Sequence, residues 1–288
     1  MQRLLTKEVD ARPLAVSRIV VGLAAMGVSL EWAIPLLRLT TGEYLRTPVL
    51  WGAPSPSVAF VLFIYIMTLV GAMGMALGAL GRAAPSMVGL ACLLALLADQ
   101  QVYSNHALLL LLLSILLALS DAHRTLSILR RNRGPVQVAY WPAFLIRALL
   151  SSVYLWTAIA KVNGDYLAGD VFAHFGNDLM GLLAPVLPAL AVTSIVTELF
   201  VGIALWVRPL FPLALLAGIG LHTGIIVTLH DPYPLVLFAM LMAPAYLLAG
   251  AEWVRGGGAL VERAQLAWSA VKRRMPRRRG VASSAPPA

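Results

Sequence analysis

The sequence has few charged residues, almost no cysteine and none of several common catalytic motifs. Only 12% of its 288 residues are charged, about half the share found in an average soluble domain. Its one cysteine, Cys92, excludes an intramolecular disulfide and a thiolate metal cluster. We find no phosphate-binding glycine loop, no His-Glu-x-x-His and no Gly-x-Ser-x-Gly motif. The most readily recognised nucleotide-binding and hydrolase classes are therefore excluded.

Long runs of apolar residues dominate the sequence. Apolar residues make up 60% of the chain, and several runs reach the roughly 20 residues needed to cross a bilayer. The charged N-terminus lacks a small-residue cleavage site, so the first run is interpreted as a spanning helix rather than a signal peptide. We predict an all-α integral membrane protein, a bundle of about eight transmembrane helices within residues 1–250. The predicted spans are 14–37, 57–80, 84–102, 104–121, 141–162, 187–207, 209–229 and 233–250.

The net charge of +9 indicates orientation and not nucleic-acid binding, because the cations gather in alternate loops. With the N-terminus inside, the cationic loops fall on the cytoplasmic side, as the positive-inside rule requires. We therefore expect a multi-pass protein, in a bacterial cell membrane, with both termini cytoplasmic. The inner set comprises Arg3, Lys7, Arg12, Arg82, Arg124, Arg130, Arg131, Arg133, Arg208 and the basic tail, and the outer side collects Asp99, Asp165, Asp170, Asp178 and Asp231.

Residues 251–288 form a basic tail. Apolar residues recur at helical spacing from Leu260 to Met275, which predicts an interfacial amphipathic helix. The arginines and the lysine between 272 and 279 predict anionic lipid as a partner. A stop-transfer tail that only fixes topology is the alternative interpretation. Residues 281–288 are expected to be disordered.

The predicted fifth span carries a polar face. Arg147, Ser151, Tyr154, Ala158 and Lys161 are separated by four, three, four and three residues, which places them on one side of a helix. That face is expected to line a cavity or to pack on polar neighbours. Arg147 is expected to form a structural ion pair with Glu198, at similar depth. Arg18, near the inner end of the first span, is interpreted as structural.

Several ionisable residues in spans lie near the predicted outer side, and such residues are candidates for function. Asn105, His106, Lys161 and His222 share that leaflet. A lysine in an apolar pocket favours its neutral form and can act as a base, and a histidine can carry a proton. Hydrogen-bonded packing is the alternative for each histidine. No metal site is predicted, because histidines and carboxylates never recur at helical spacing inside a span.

Aromatic residues near the same boundary are candidates for contact with a flat ring, although an interfacial aromatic belt explains them equally well. They are Trp51, Tyr103, Trp156 and Tyr166.

The stretch from Tyr103 to Phe175 contains Ser104-Asn105-His106 and Asp121-Ala122-His123-Arg124. It also contains the run from Tyr154 to Gly169, in which an aromatic-rich helix ends in Lys161 and is followed by an acidic, aromatic, glycine-containing turn. This order resembles the HTTM membrane domain, the family that includes vitamin K-dependent γ-glutamyl carboxylase. The resemblance continues through Glu198 to His222. It implies Lys161 as the base that deprotonates a hydroquinone and His106 as its partner in carboxylation, with His222 and Asn105 also at matching positions.

The resemblance also implies a cofactor, an isoprenoid quinol of the menaquinol type. We take Lys161, His106 and His222 as the candidate catalytic residues and Asn105, Tyr154 and Trp156 as candidates for cofactor contact. Glutamyl carboxylation of a protein is not expected, because only about 38 residues follow the last predicted span, where the carboxylase has a large domain.

Two functions stay open. The first is a quinol-dependent oxidoreductase or carboxylase-like enzyme that uses a lysine base in an outward-facing pocket. The second is a non-catalytic accessory membrane protein in the maturation or export of a secreted peptide. A secondary transporter is disfavoured, because the prolines lie mostly at predicted helix ends and not midway through paired spans.

Overall fold

The computed structural model describes residues 7–50, 52, 54–129 and 136–274, and it describes side chains only up to residue 255. The chain is 78% helical, which confirms an all-α membrane protein. Several predictions concern positions outside the described residues. They involve Arg3, Trp51, Arg130, Arg131, Arg133, the side chains of the amphipathic helix and the segment 281–288.

Long helices dominate the order of elements, joined by short helices and 3-10 turns. A two-stranded sheet of three residues per strand is the exception, and the sequence did not predict it. The elements are β1 (Glu8–Asp10), α1 (Arg12–Thr40), α2 (Val58–Leu77), α3 (Ala83–Ala98), α4 (Asn105–Ala118), β2 (Gln137–Ala139), α5 (Trp141–Ala160), α6 (Gly164–Ala168), α7 (Asp170–Phe175), α8 (Asp178–Leu182), α9 (Leu187–Ala204), α10 (Phe211–Thr228) and α11 (Pro232–Arg274), with 3-10 turns at Gln100–Val102, Ala122–Arg124, Ala184–Val186 and Arg208–Leu210.

Within the described residues, six helices are long and apolar enough to cross a membrane, against the eight predicted. They are α1, α2, α5, α9, α10 and the first part of α11. The predicted third and fourth spans correspond to α3 and α4, which have 16 and 14 residues. The difference arises because the apolar run between 84 and 121 is broken at Asp99, where α3 ends, and continues only at Asn105.

The last helix is longer than the predicted span. α11 runs without interruption from Pro232 to Arg274, through the position 250 at which we divided the membrane domain from the tail. Its portion up to Arg255 is apolar enough to span a membrane. The division into two units stays a prediction.

Helix α1 lies at the centre of one half of the bundle and packs against α2 and α11. Close approach depends on small residues, as is usual between membrane helices. A Cβ placed on Gly22 of α1 would lie 2.9 Å from the carbonyl oxygen of Ala72, and one on Gly71 of α2 would lie 2.8 Å from the carbonyl oxygen of Ala84. In the other half, α9 packs against α5 and α10, and α10 packs against α11.

The two strands join the N-terminus to the start of α5. They pair antiparallel, with Glu8 opposite Ala139 and Asp10 opposite Gln137. Next to them, Lys7 lies over the ring of Tyr140, with its Nζ 3.8 Å from the ring centroid. Burial, followed by the neighbouring Glu252 carboxylate, raises the pKa of Tyr140 to about 12.

The expected ion pair between Arg147 and Glu198 is wrong. Arg147 Nη1 donates instead to Glu252 Oε2 of α11 at 2.6 Å, and its guanidinium lies over the Trp206 ring, 4.1 Å from the centroid. Arg147 precedes Lys161 by 14 residues, about 21 Å along a helix, so a single Glu198 side chain cannot meet both cations. The structural role assigned to Arg147 therefore holds with a different partner.

Arg18 of α1 is 2% exposed and binds two backbone carbonyls, one in the last turn of α2 and one in the loop after α4. Its Nη1 donates to the Met75 oxygen at 2.5 Å and its Nη2 to the Leu126 oxygen at 2.8 Å. Carbonyls at the end of a helix lack their regular helical donors, so a buried cation stabilises the carbonyl of Met75. This geometry agrees with the structural interpretation of Arg18.

We predict that Gly71→Ala lowers the thermal unfolding midpoint of the detergent-solubilised protein. The added methyl group would collide with a backbone oxygen, and such overpacking costs about 1–3 kcal/mol. Gly220→Ala is the matched control, because a Cβ there meets nothing within 4 Å while the gain in helix propensity is the same. Equal midpoints for the two variants would contradict the close approach of α2 to α3.

Candidate functional site

A cavity of about 330 Å³ lies between the start of α4, the second half of α5, and helices α9, α10 and α11. Its walls are mainly apolar, with Leu221, Ile225 and Phe238 among the lining residues. Polar side chains come to it from α4, α5, α6, α9 and α10 and from the residue that follows α5. They are Asn105, His106, Tyr154, Thr157, Lys161, Tyr166, Glu198 and His222.

Lys161 ends α5 and forms an ion pair with Glu198 of α9. The Nζ to Oε1 distance is 2.5 Å, and the two side chains are 22% and 6% exposed. The second carboxylate oxygen of Glu198 is buried and has no hydrogen-bond partner within the part of the chain that the structure describes. A helical side chain leans toward the N-terminus of its own helix, which brings the long lysine back into the bundle.

The Lys161 ammonium also lies 5.4 Å from the centroid of the Tyr166 ring. Tyr166 belongs to the short helix α6 and its hydroxyl bonds to Ser194 of α9 at 2.7 Å. Asn163 caps α6 by accepting from the Tyr166 N–H. The turn after α5 is thus attached to α9, and it covers one side of Lys161.

A chain of hydrogen bonds runs through the centre of the site. The Tyr154 hydroxyl lies 2.7 Å from His222 Nε2 and 2.7 Å from the Tyr246 hydroxyl. Tyr154 is 2% exposed, so both of its bonds are inside the protein. A Cβ on Gly218 would lie 1.8 Å from the Tyr246 hydroxyl oxygen, which makes glycine necessary at this position of α10.

His106 comes from the first turn of α4, which Ser104 caps by accepting from the Ala107 N–H. Its Nε2 contacts the Glu31 carboxylate of α1. The His106 and Glu31 side chains are 14% and 17% exposed. Asn105 precedes His106 and accepts from the Tyr103 hydroxyl at 3.4 Å.

Five of the six candidate residues named from the sequence line this one cavity: Lys161, His106, His222, Asn105 and Tyr154. The predicted polar face of α5 is also confirmed, since Arg147, Ser151, Tyr154 and Ala158 are buried. Their catalytic and cofactor-binding roles stay predictions.

Trp156 is placed differently from our expectation. It is 68% exposed and lines a separate groove between α4 and α5. Two residues along a helix correspond to a rotation of about 200°, so Trp156 and Tyr154 face nearly opposite directions. Tyr166, which we considered only as a boundary aromatic, lines the cavity instead.

The sequence interpretation missed three residues of the site. Glu198 was assigned to Arg147, and neither Glu31 nor Tyr246 was given a role. A usable signal existed for Glu198, because Lys161 lacked a carboxylate partner in the predicted bundle. No signal in the sequence pairs Glu31 with His106.

Asp99 lies outside the cavity and fastens the loop between α1 and α2. Its carboxylate accepts from the Thr47 N–H and hydroxyl, both at 2.8 Å, and from the Gln101 N–H at 3.0 Å. Burial opposes ionisation of this carboxyl, but the hydrogen bonds from Gln101 and Thr47 outweigh it and hold the pKa of Asp99 below its usual value. Asp99 is thus a structural anchor.

In the described part of the chain, no group of three or more His, Cys, Asp or Glu residues is arranged to hold a metal ion. The polar groups of the cavity are an amine, two imidazoles, two phenols, an aliphatic hydroxyl, an amide and a carboxylate. Such a set can exchange protons with a hydroxyl-bearing ligand and hold it by hydrogen bonds.

The family model described as the HTTM domain matches residues 6–231, which includes every residue of the cavity except those at the start of α11. The chain belongs to the HTTM-domain family. This assignment agrees with the resemblance derived from the run between Tyr154 and Gly169. No solved structure gives a significant match to this HTTM protein.

We predict that Lys161→Met destabilises the protein, by about 3 kcal/mol, because it leaves Glu198 buried without a counter-charge. The double variant Lys161→Met/Glu198→Leu is expected to regain most of the lost stability, since it removes both charges. Thermal unfolding of the two single variants and the double variant gives the coupling free energy. Additive effects would show that the two side chains do not interact.

Proposed function

We propose that this HTTM protein is a membrane-embedded enzyme that acts on an isoprenoid quinol or a similar lipophilic hydroxyaryl reductant, with Lys161 as the base. One observation carries the proposal. Lys161 and its carboxylate partner Glu198 share a mainly apolar cavity between membrane helices with His106 and His222. Ionisable groups in such a place are costly to bury and point to function.

The cavity suits the ring of a quinol. Its volume of about 330 Å³ lies at the lower end of the range for small-molecule sites, so it can hold a ring while an isoprenoid tail lies between the helices. Leu221 and Phe238 offer apolar contact, and Asn105, His106 and His222 offer hydrogen bonds to ring hydroxyls. When bound, a quinol would supply two electrons and an acidic hydroxyl group.

Lys161 can accept a proton only as a neutral amine. The contact between its Nζ and Glu198 Oε1 offers a way to reach that form, because a proton can move from nitrogen to oxygen within the pair. The N–H bond breaks as the O–H bond forms, and both side chains become neutral. A low-dielectric site favours the neutral pair over separated charges.

His222 and Tyr154 orient the opposite wall of the site. If the Tyr154 hydroxyl donates to His222 Nε2, the remaining proton of the ring is on Nδ1, which then serves as a donor to a ligand oxygen. In that arrangement the Tyr154 hydroxyl accepts from the Tyr246 hydroxyl, which lies 2.7 Å away. The geometry thus supports a positioning role for His222.

We predict that an isoprenoid quinone co-purifies with the native protein and is lost in Lys161→Ala. Lys7→Ala is the matched control, because Lys7 also faces a carboxylate, Glu252 at 3.8 Å, but lies away from the cavity. Lipid extraction and mass spectrometry of the three proteins measure the bound quinone. Finding only phospholipid in all three would contradict the proposal and favour the accessory role in the maturation or export of a secreted peptide.

We also propose that α3 and α4 cross the membrane, which restores eight crossings with both termini cytoplasmic. Asp99 binds the loop after α1 through Thr47, and Arg82 binds Asp121, after α4, at 2.8 Å. Both α3 and α4 therefore extend between the same two ends of the bundle as α2. At about 24 and 21 Å they are shorter than the roughly 30 Å hydrocarbon core, and the flanking turns supply the remainder.

Cysteine labelling tests this topology. Tyr103→Cys, between α3 and α4, is expected to react with an impermeant thiol reagent added to intact cells, because Tyr103 is 59% exposed. Ala83→Cys at the start of α3 and Leu129→Cys after α4, at a position 72% exposed, are expected to react only after the membrane is opened. The opposite pattern would invert the proposed orientation.

A further inference from the structure

A second cavity, of about 500 Å³, lies on the far side of His106 from the Lys161 cavity. It is formed by the second half of α1, residues 101–104 and the starts of α4 and α11. Glu31, Gln101, Tyr103, Asp231 and Tyr233 are among its lining residues. Gln101, Tyr103, Asp231 and Tyr233 are exposed, and they lie at helix ends, so this cavity opens toward one surface of the membrane.

His106 forms the partition between the two cavities, since it lines both, together with Pro234. Lys161, Glu198 and His222 face the first cavity, whereas Glu31 and Asp231 face the second. The contact between His106 Nε2 and Glu31 Oε2 is therefore a hydrogen-bonded connection from one cavity to the other.

Only one of the two carboxylate oxygens of Glu31 contacts His106. Its Oε2 contacts His106, and its Oε1 is buried without a hydrogen-bond partner among the described residues. On the side of the second cavity, the other titratable groups are Asp231, Tyr103 and Tyr233, none of which has an ion pair to Glu31. A buried carboxylate oxygen with no protein partner is normally satisfied by water, which the second cavity can supply.

We propose that the His106–Glu31 pair carries protons between the Lys161 cavity and the second cavity, which is an aqueous vestibule. The inference rests on the proposed function only for the source of the proton. A base enclosed by apolar walls can act repeatedly only if the proton it removes is passed on. Lys161 and Glu198 can hold that proton, and the His106–Glu31 pair gives it a path to the second cavity.

The transfer is balanced in protons. His106 Nδ1 takes a proton from a donor in the first cavity, such as the Lys161 ammonium, while Nε2 gives its own proton to Glu31 Oε2. The donor's bond to hydrogen and one N–H bond of the imidazole break, and one N–H bond of the imidazole and one O–H bond of the carboxyl form. Glu31 then releases the proton to water in the vestibule, and rotation of the imidazole ring turns its protonated nitrogen back toward Glu31.

Thiol accessibility tests the vestibule without requiring any activity. The single native cysteine, Cys92, is 1% exposed and gives little background. Ile34→Cys places a thiol in the second cavity, Ile225→Cys places one in the first, and Ile66→Cys, at a position 56% exposed on the surface of α2, is the lipid-facing control.

A charged, impermeant methanethiosulfonate is expected to modify Ile34→Cys rapidly and the other two slowly. If Ile34→Cys were as slow as Ile66→Cys, the second cavity would not be aqueous and the proposal would fall. If Ile225→Cys were as fast as Ile34→Cys, water would reach Lys161 directly and the relay would have no purpose, which also overturns it.

Exchange of the His106 ring proton with water tests the relay itself. It is measured by NMR of histidine-labelled protein in nanodiscs, with the resonance assigned by its loss in His106→Gln. Glu31→Gln is expected to slow the exchange by about a hundredfold, the scale of a positioned proton-transfer group. Glu31→Asp should retain most of the rate, and Asp231→Asn should leave it unchanged.

An unchanged exchange rate in Glu31→Gln would refute the relay even if the variant were less stable. The same measurement on Lys161→Ala separates the two proposals, because the relay does not require Lys161. Rapid exchange in Lys161→Ala, together with absence of a bound quinone from the native protein, would sink the proposed enzyme and leave the relay standing.

Discussion

A charge placed between membrane helices has no water to solvate it, so it must find its partner within the protein. This constraint arranges the buried ionisable residues of the bundle. Lys161 pairs with Glu198, Arg147 with Glu252, and His106 with Glu31, while Arg18 binds the carbonyl of Met75 in the last turn of α2. Each of the three carboxylate pairs joins helices that are not consecutive in the chain, and together they fix which helix faces which.

The pairs at the two ends of the bundle serve different purposes. Arg147 lies against Trp206 and joins α5 to α11 through Glu252, which also lies 3.8 Å from Lys7, next to β1. Lys161 and Glu198 line a cavity that has room for a ligand. Two chemically similar ion pairs thus have different surroundings. The cavity beside Arg147 and Glu252, of about 440 Å³, is lined by the further cations Lys7, Arg208 and Arg255, whereas the walls beside Lys161 and Glu198 are mainly apolar.

Helical geometry explains which members of the site could be predicted. The spacing from Arg147 to Lys161 placed Tyr154 and Lys161 on the inner face of α5, because that face is fixed by the period of a single helix. The same period puts Trp156 on the outer face of α5. Naming Trp156 as a candidate for cofactor contact overlooked this. Partners on other helices were harder to find: the depth estimated along each span was too coarse to decide whether Glu198 meets Arg147 or Lys161.

Composition alone determined that this chain is a helical membrane protein, since no soluble core accommodates so much apolar surface and so little charge. The order of motifs between Tyr103 and His222 determined its family. Only the tertiary structure decided that α3 and α4 are short, that Glu198 belongs to Lys161, and that His106 stands between two cavities. Such contacts depend on the rotation and depth of one helix against another, and in lipid these are set by small-residue packing and by pairing of buried charges, which no single segment encodes.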